Sequence, residues 1–175
     1  VIVYSPMQKG LLTGKFTPER VKNLPPDDHR RSDPQFNEPL LSINLELVEK
    51  LKPIAEKHGR TLAQLAIAWV LRRPEVTAAI VGTRRPSQIE ETFPAGDWEL
   101  AAEDIEAIEK LLQEREERFL LFTQLLSSLE EREENTLKAP EKRWEAIQNR
   151  EVKEIEKLTL AELLSLYELY LTPET

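Results

Sequence analysis

The chain has 175 residues, with 32 acidic against 24 basic side chains and a net charge of −8; that length carries one ordinary domain with a real core. The acidic balance argues against nucleic acid or an anionic membrane surface as partner, since both call for a basic patch. No cysteine is present, which excludes disulfides, thiol catalysis and thiolate metal sites and fits a reducing, cytoplasmic setting.

In chain order, Val1-Ile2-Val3-Tyr4 is the near-continuous apolar run of a strand buried on both faces within a parallel sheet. No residue before it supplies a neighbouring strand and no signal peptide is visible, so the expectation is the back part of something larger. An irregular stretch to about residue 40 follows, with Pro18, Pro25, Pro26, Pro34 and Pro39; loops of that length tend to be binding loops or lids. Leu45, Val48, Leu51, Ile54 and Ala55 mark an amphipathic helix over 42–58, stopped by Gly59 and kinked at Pro53. Thr61 and Gln64 form a capping box opening a second helix, "LAQLAIAWVLRR", apolar nearly all round and so well buried. "VTAAIVG" at 76–82 is the second strand, and Pro86 suits the first turn of a short helix over 86–92. A helix beginning with "LAAEDIEAIEKLL" comes next. Strand, helices, strand, helix is parallel α/β organisation.

Beyond Leu112 the character changes. Ile105, Ile108, Leu112, Phe119, Phe122, Leu126 and Leu129 form a heptad seam in which Arg115 fills the one gap, along a helix reaching about Glu134. Residues 135–140 break it. A helix around Trp144 and Ile147 follows, and a capping box at Thr159 and Glu162 opens a last one, "LAELLSLYELYL". The division is therefore 1–112, a helix extension and break at 113–139, and a helical tail at 140–175. One helix cannot bury such a stripe alone. Either the last helix folds back on it after Pro140, or a second chain meets it by self-association. Arg115 favours the fold-back, because two copies face to face would oppose like charges.

The chemistry concentrates in two loops. A phosphate-loop reading of Gly10 to Lys15 fails, since Lys9 stands where the first glycine is needed and Phe16 where Ser or Thr is needed. His29 and His58 have no partner pattern, and His58 beside Gly59 reads as a cap-region side chain. In "IVGTRRPSQIEET" a buried strand ends, Gly82 allows close backbone approach, and a helix begins at Pro86. Free N–H groups with Arg84 and Arg85 would make an anion site suited to a phosphate. The alternative is that both arginines are surface ion-pair partners, since helix N-termini prefer acidic residues.

"VYSPMQKGLLTGKF", "LKPIAEKHGRTLAQLAIAWVLRRPEV" and "IVGTRRPSQIEE" together resemble the C-terminal portion of aldo/keto reductases, in particular the bacterial general-stress-type branch. The resemblance covers residues 1 to about 112. It implies an α/β fold, the C-terminal part of a (β/α)8 TIM barrel with two parallel strands and their helices, followed by an all-α tail. Val1 would then open the seventh of eight strands, with six missing. Barrel enzymes commonly bind phosphate with the loops after strands 7 and 8, the loops present here.

By the same resemblance the cofactor is NADP(H). Tyr4 would stack on the nicotinamide. Ser5, Pro6, Met7, Gln8 and Gly10 would run along the pyrophosphate, with Lys15 as a nearby cation. Gly82, Thr83 and Arg84 would grip the 2′-phosphate, and Gln88 and Glu91 would meet the adenine. Thr92 departs from the asparagine usual there, and whether Arg30 or Arg31 joins the loop folding over the cofactor stays open. The family's catalytic Asp, Tyr, Lys and His lie on earlier strands, and none of the four positions exists in this chain. Tyr4, Tyr167 and Tyr170 do not substitute for that tyrosine. The implied function is the cofactor-loop portion of a reductase of small aldehydes or ketones, acting by hydride transfer. The alternative is a non-catalytic helical interaction module attached to a vestigial reductase portion.

Overall fold

A computed structural model describes residues 1–137 of the chain, with side chains through residue 128. The expected helices around Trp144 and from Thr159, and with them the fold-back, lie outside the described residues.

The elements in order are β1 (Ile2–Tyr4), α1 (Pro18–Lys22), α2 (Leu40–Glu56), α3 (Leu62–Leu71), β2 (Ala78–Ile80), α4 (Pro86–Thr92) and α5 (Ala102–Leu137), with four 3-10 turns between them. β1 and β2 pair in parallel, Ile2 opposite Ala78 and Tyr4 opposite Ile80. The α/β order expected from the sequence is therefore present. The burial expected of the strands is not. Ile2 is 64% exposed, Tyr4 82% and Ile80 61%, because among the described residues the sheet has two strands, which leave two open edges and an uncovered face.

The core sits among the helices. Leu47, Val48, Leu51 and Ala55 of α2 pack with Leu62 and Leu65 of α3 and Ile108 of α5. In α3 every residue from Leu62 to Ala68 is buried, as its all-round apolar sequence predicts. Its capping box is complete: Gln64 N donates to Thr61 Oγ1 (3.2 Å) and Thr61 N to Gln64 Oε1 (2.9 Å). α2 starts two residues earlier than expected and ends at Glu56. Pro53 lies within it, and Gly59 closes it at φ 63°, with Arg60 N donating to Ala55 O (3.0 Å).

The stretch from residue 8 to 36 is not irregular. Short turns there are capped by Thr17, Asp28 and Asp33, whose side chains accept from Arg20, Arg30 and Gln35 N–H groups. Leu11, Phe16, Leu24, Phe36 and Leu41 form a second small core. The Phe16 and Phe36 rings meet edge to face at 5.1 Å. α5 crosses 112–113 unbroken and continues through Asn135 to Leu137. Among the described residues no helix is long and apolar enough to cross a membrane.

Candidate functional site

Parallel pairing has one consequence for chemistry: the segments leaving β1 and β2 emerge from the same edge of the sheet. Tyr4 and Ser5 stand exposed at the first exit, and Gly82, Thr83, Arg84 and Arg85 stand exposed at the second. All the expected site residues except Gln88 and Glu91 lie in these two exits and the turn after β1, and those two lie on α4, directly after the second.

The first exit is bent hard. Ser5, Gln8 and Lys9 adopt φ of 52°, 47° and 54°, and Gly10 follows at 95°. Left-handed backbone at non-glycine residues costs on the order of 1–3 kcal/mol each and gathers at ligand-holding segments. Local bonds hold the bend: Gln8 N donates to Ser5 O (2.9 Å), and Gly10 N and Leu12 N both donate to Met7 O (3.0 and 3.2 Å). Pro6 and Leu11 are buried as anchors. From the next segment, Asp33 receives Lys9 Nζ at 2.5 Å and Arg30 Nη1 reaches Lys9 O at 3.4 Å. The Lys9 hydrogen bond holds the Asp33 carboxyl below its usual range, and the Arg30 guanidinium does the same for Asp28. Arg31 donates instead to Leu24 O (2.9 Å). Of the two arginines left open, Arg30 is thus the one tied to the bent turn.

The second exit differs from the sequence expectation in one respect. The N–H groups of Arg84 and Arg85, expected to be free for an anion, both donate to Gln88 Oε1, at 2.7 and 3.1 Å. The carboxamide reaches back over the first turn of α4 as a capping group, so it stands in the place an anion would take. Gln88 is therefore a loop-shaping residue here, and the arginine side chains carry whatever positive charge the edge offers. Gly82 has open space: a Cβ there would meet nothing within 4 Å.

Two contacts hold Glu91 of α4, one of them from the segment after β1. Lys15 Nζ lies 3.7 Å from Glu91 Oε2, an exposed pair whose energy is small in water. Beneath it, buried Gln64 donates through Nε2 to Glu91 O at 2.7 Å while its Oε1 serves the α3 cap. One glutamine thus fixes α4 to the start of α3. The capping box signalled Gln64, but not this second bond.

Sequence reasoning missed two other groupings. Asp104 of α5, with its side chain 2% exposed, binds His58 Nε2 at 2.7 Å and also Lys57. Burial raises its carboxyl pKa, but the Lys57 and His58 hydrogen bonds more than offset that and leave it lowered. His58 is therefore a cap-region residue with a specific partner, and its ring also faces Trp98 at 5.5 Å. Arg115 lies in the seam not as a bare gap but in contact with α2 and the turn before it: its Nε donates to Asn44 Oδ1 (2.9 Å) and its Nη2 to Gln35 Oε1 (3.2 Å). No signal of sequence spacing pairs residues 46 to 80 positions apart. Among the described residues there is no group of three or more His, Cys, Asp or Glu placed to hold a metal ion.

A parallel strand pair with helices, and loops gathered at its C-terminal edge, defines the α/β class whose ligands bind at strand ends. The profile of the aldo/keto reductase family matches residues 1–113, and the chain belongs to that family. An aldo-keto reductase of Strobilurus tenacellus is 35% identical over 116 residues, which is 66% of this chain and 34% of that protein. An NADP(+) aldo-keto reductase of Schizosaccharomyces pombe is 35% identical over 95 residues, 54% of this chain and 27% of its own. The solved glycerol dehydrogenase of Gluconobacter oxydans superposes with a TM-score of 0.60 at 32% identity, covering 66% of this chain and 34% of the enzyme. The chain therefore spans about a third of the length of the relatives it matches.

Proposed function

We propose that this chain forms the cofactor-binding edge, strands 7 and 8 with their helices, of an NADP(H)-dependent aldo/keto reductase acting on small aldehydes or ketones. The observation that supports the reading is the parallel register of β1 and β2, by which the segments after Tyr4 and after Ile80 leave the sheet at the same end. The residues fit the cofactor in kind. Tyr4 presents an exposed ring to a nicotinamide. The exposed Arg84 guanidinium suits a 2′-phosphate, for which its planar fork is matched. Lys15 has only an exposed ion pair to give up for a pyrophosphate. Bound there, NADPH would supply the hydride; this chain's residues would hold and orient it. The proton for the carbonyl oxygen would come from an acid outside this chain, on the strands that would also cover the exposed faces of β1 and β2.

Nicotinamide-fluorescence titration tests the division of labour. The 175-residue chain should bind NADPH more weakly than about 1 μM and reduce no aldehyde, because a site without enclosure loses most of the surface it would bury. Sub-micromolar binding, or carbonyl-dependent NADPH oxidation by this chain alone, would contradict it.

A further inference from the structure

A cavity of about 300 Å³ lies between α2, α3 and α5, with Pro6 and Gln8 of the turn after β1 also in its lining. Its walls include Leu47 and Leu51 of α2, Leu65 and Trp69 of α3, and Ile108 and Leu112 of α5. Four of these, Leu47, Leu51, Leu65 and Ile108, are buried core residues, so the space belongs to the packed half of the molecule. Its volume stands at the lower end of small-molecule sites, which run from about 300 to 1,000 Å³.

One end of the cavity is polar, and Arg115 is the one charged residue in its lining. The guanidinium is aimed by two neutral carboxamides: Asn44 Oδ1 accepts from Nε, and Gln35 Oε1 accepts from Nη2. Gln35 Oε1 also accepts from Asn44 Nδ2 at 3.0 Å, and Asn44 is itself only 5% exposed. The nearest carboxylate is Glu116, 3.4 Å from Nη1 but 58% exposed and outside the lining. A cation at the end of an apolar space thus has amide dipoles to orient it and no anion within that space to neutralise it. Such a charge draws a counter-charge, because a guanidinium only 21% exposed is incompletely screened by water. The apolar walls favour a hydrocarbon occupant over water, which would find few partners there.

We propose that this cavity binds a small amphiphile with an unbranched or compact apolar body and a carboxylate head, the head received by Arg115. A carboxylate matches the guanidinium fork and a point dipole such as a hydroxyl does not. The proposal does not rest on the reductase reading, because its head group is received by Arg115 and not by Gln8, the polar lining residue that belongs to the expected cofactor loop.

Isothermal titration of the full 175-residue chain with decanoate and with decanol tests it. Decanoate should bind saturably at a single site and more tightly than decanol. Arg115→Gln should weaken decanoate about 10-fold or more and leave decanol unchanged, while Arg115→Lys recovers part of the loss. Ala66→Phe, which fills the space from the α3 wall, should remove both. Helicity by circular dichroism checks each variant, and if Arg115→Gln fails to fold, the wild-type comparison of decanoate with decanol decides. No saturable decanoate binding, equal affinity for the two probes, or equal losses of both in Arg115→Gln would overturn the proposal.

Discussion

The two-stranded sheet and helix α3 are both almost wholly apolar in sequence, yet only α3 is buried. "LAQLAIA" of α3 disappears among α2, α4 and the 3-10 turns at Gln8–Thr13 and Phe93–Asp97, whereas Ile2, Tyr4 and Ile80 stand more than half exposed. The difference lies in how each element satisfies its surface. A helix closes its own hydrogen bonds and needs only neighbours for its side chains, whereas a strand needs a partner at each edge as well as cover on each face. The helices find those neighbours within 137 residues and the strands do not. Stability in this chain therefore resides in the helical half, and the strand edge acts as a platform for loops.

That contrast can be tested by substitution. Leu65→Ala, in the centre of the core and 3% exposed, should cost about 3 kcal/mol in urea unfolding, the usual loss for a buried leucine. Gly14→Ala should cost about 2 kcal/mol, because Gly14 adopts φ 71° and an added Cβ would come within 2.7 Å of Leu62 Cδ1. This links the bent turn after β1 directly to α3. Asp104 adds a pH-dependent contribution. Its carboxyl pKa is lowered in the fold, so the stability it adds is present above the unfolded value, about 3.9, and is lost as pH falls through the folded value. Asp104→Asn should therefore flatten the acid limb of a stability–pH curve; parallel limbs in the two proteins would show that the contact with Lys57 and His58 contributes nothing. The smallest effect belongs to the sheet. Ile80→Ala should change stability by less than about 0.5 kcal/mol, and a loss as large as that of Leu65→Ala would erase the distinction between the two regions.

The same contrast explains what could be read from the sequence. α3 and α4 were legible nearly to the residue, because a capping box and a proline at the first helical position are local signals. The stripe through Ile108 and Leu112 correctly foretold a helix continuing past residue 112. The turns capped by Thr17, Asp28 and Asp33 were not legible, since elements of three to five residues carry no periodicity and their prolines read equally well as loop. Exposure of β1 and β2 was not legible either: an apolar strand states what it needs, not whether the chain provides it. At the site, the residue types gathered at the strand edge were readable, but the second roles of Gln88 and Gln64 were not, because a side-chain amide declares no partner in advance.

The claim that this edge grips a phosphorylated nicotinamide cofactor rests most directly on Arg84. In the proposed reductase, the affinities for NADPH and NADH should be measured with and without Arg84→Ala. A charge-assisted bond to the 2′-phosphate predicts a loss of about 10-fold or more for NADPH and little change for NADH, which has no phosphate there. Equal losses for both cofactors, or none for either, would contradict the assignment.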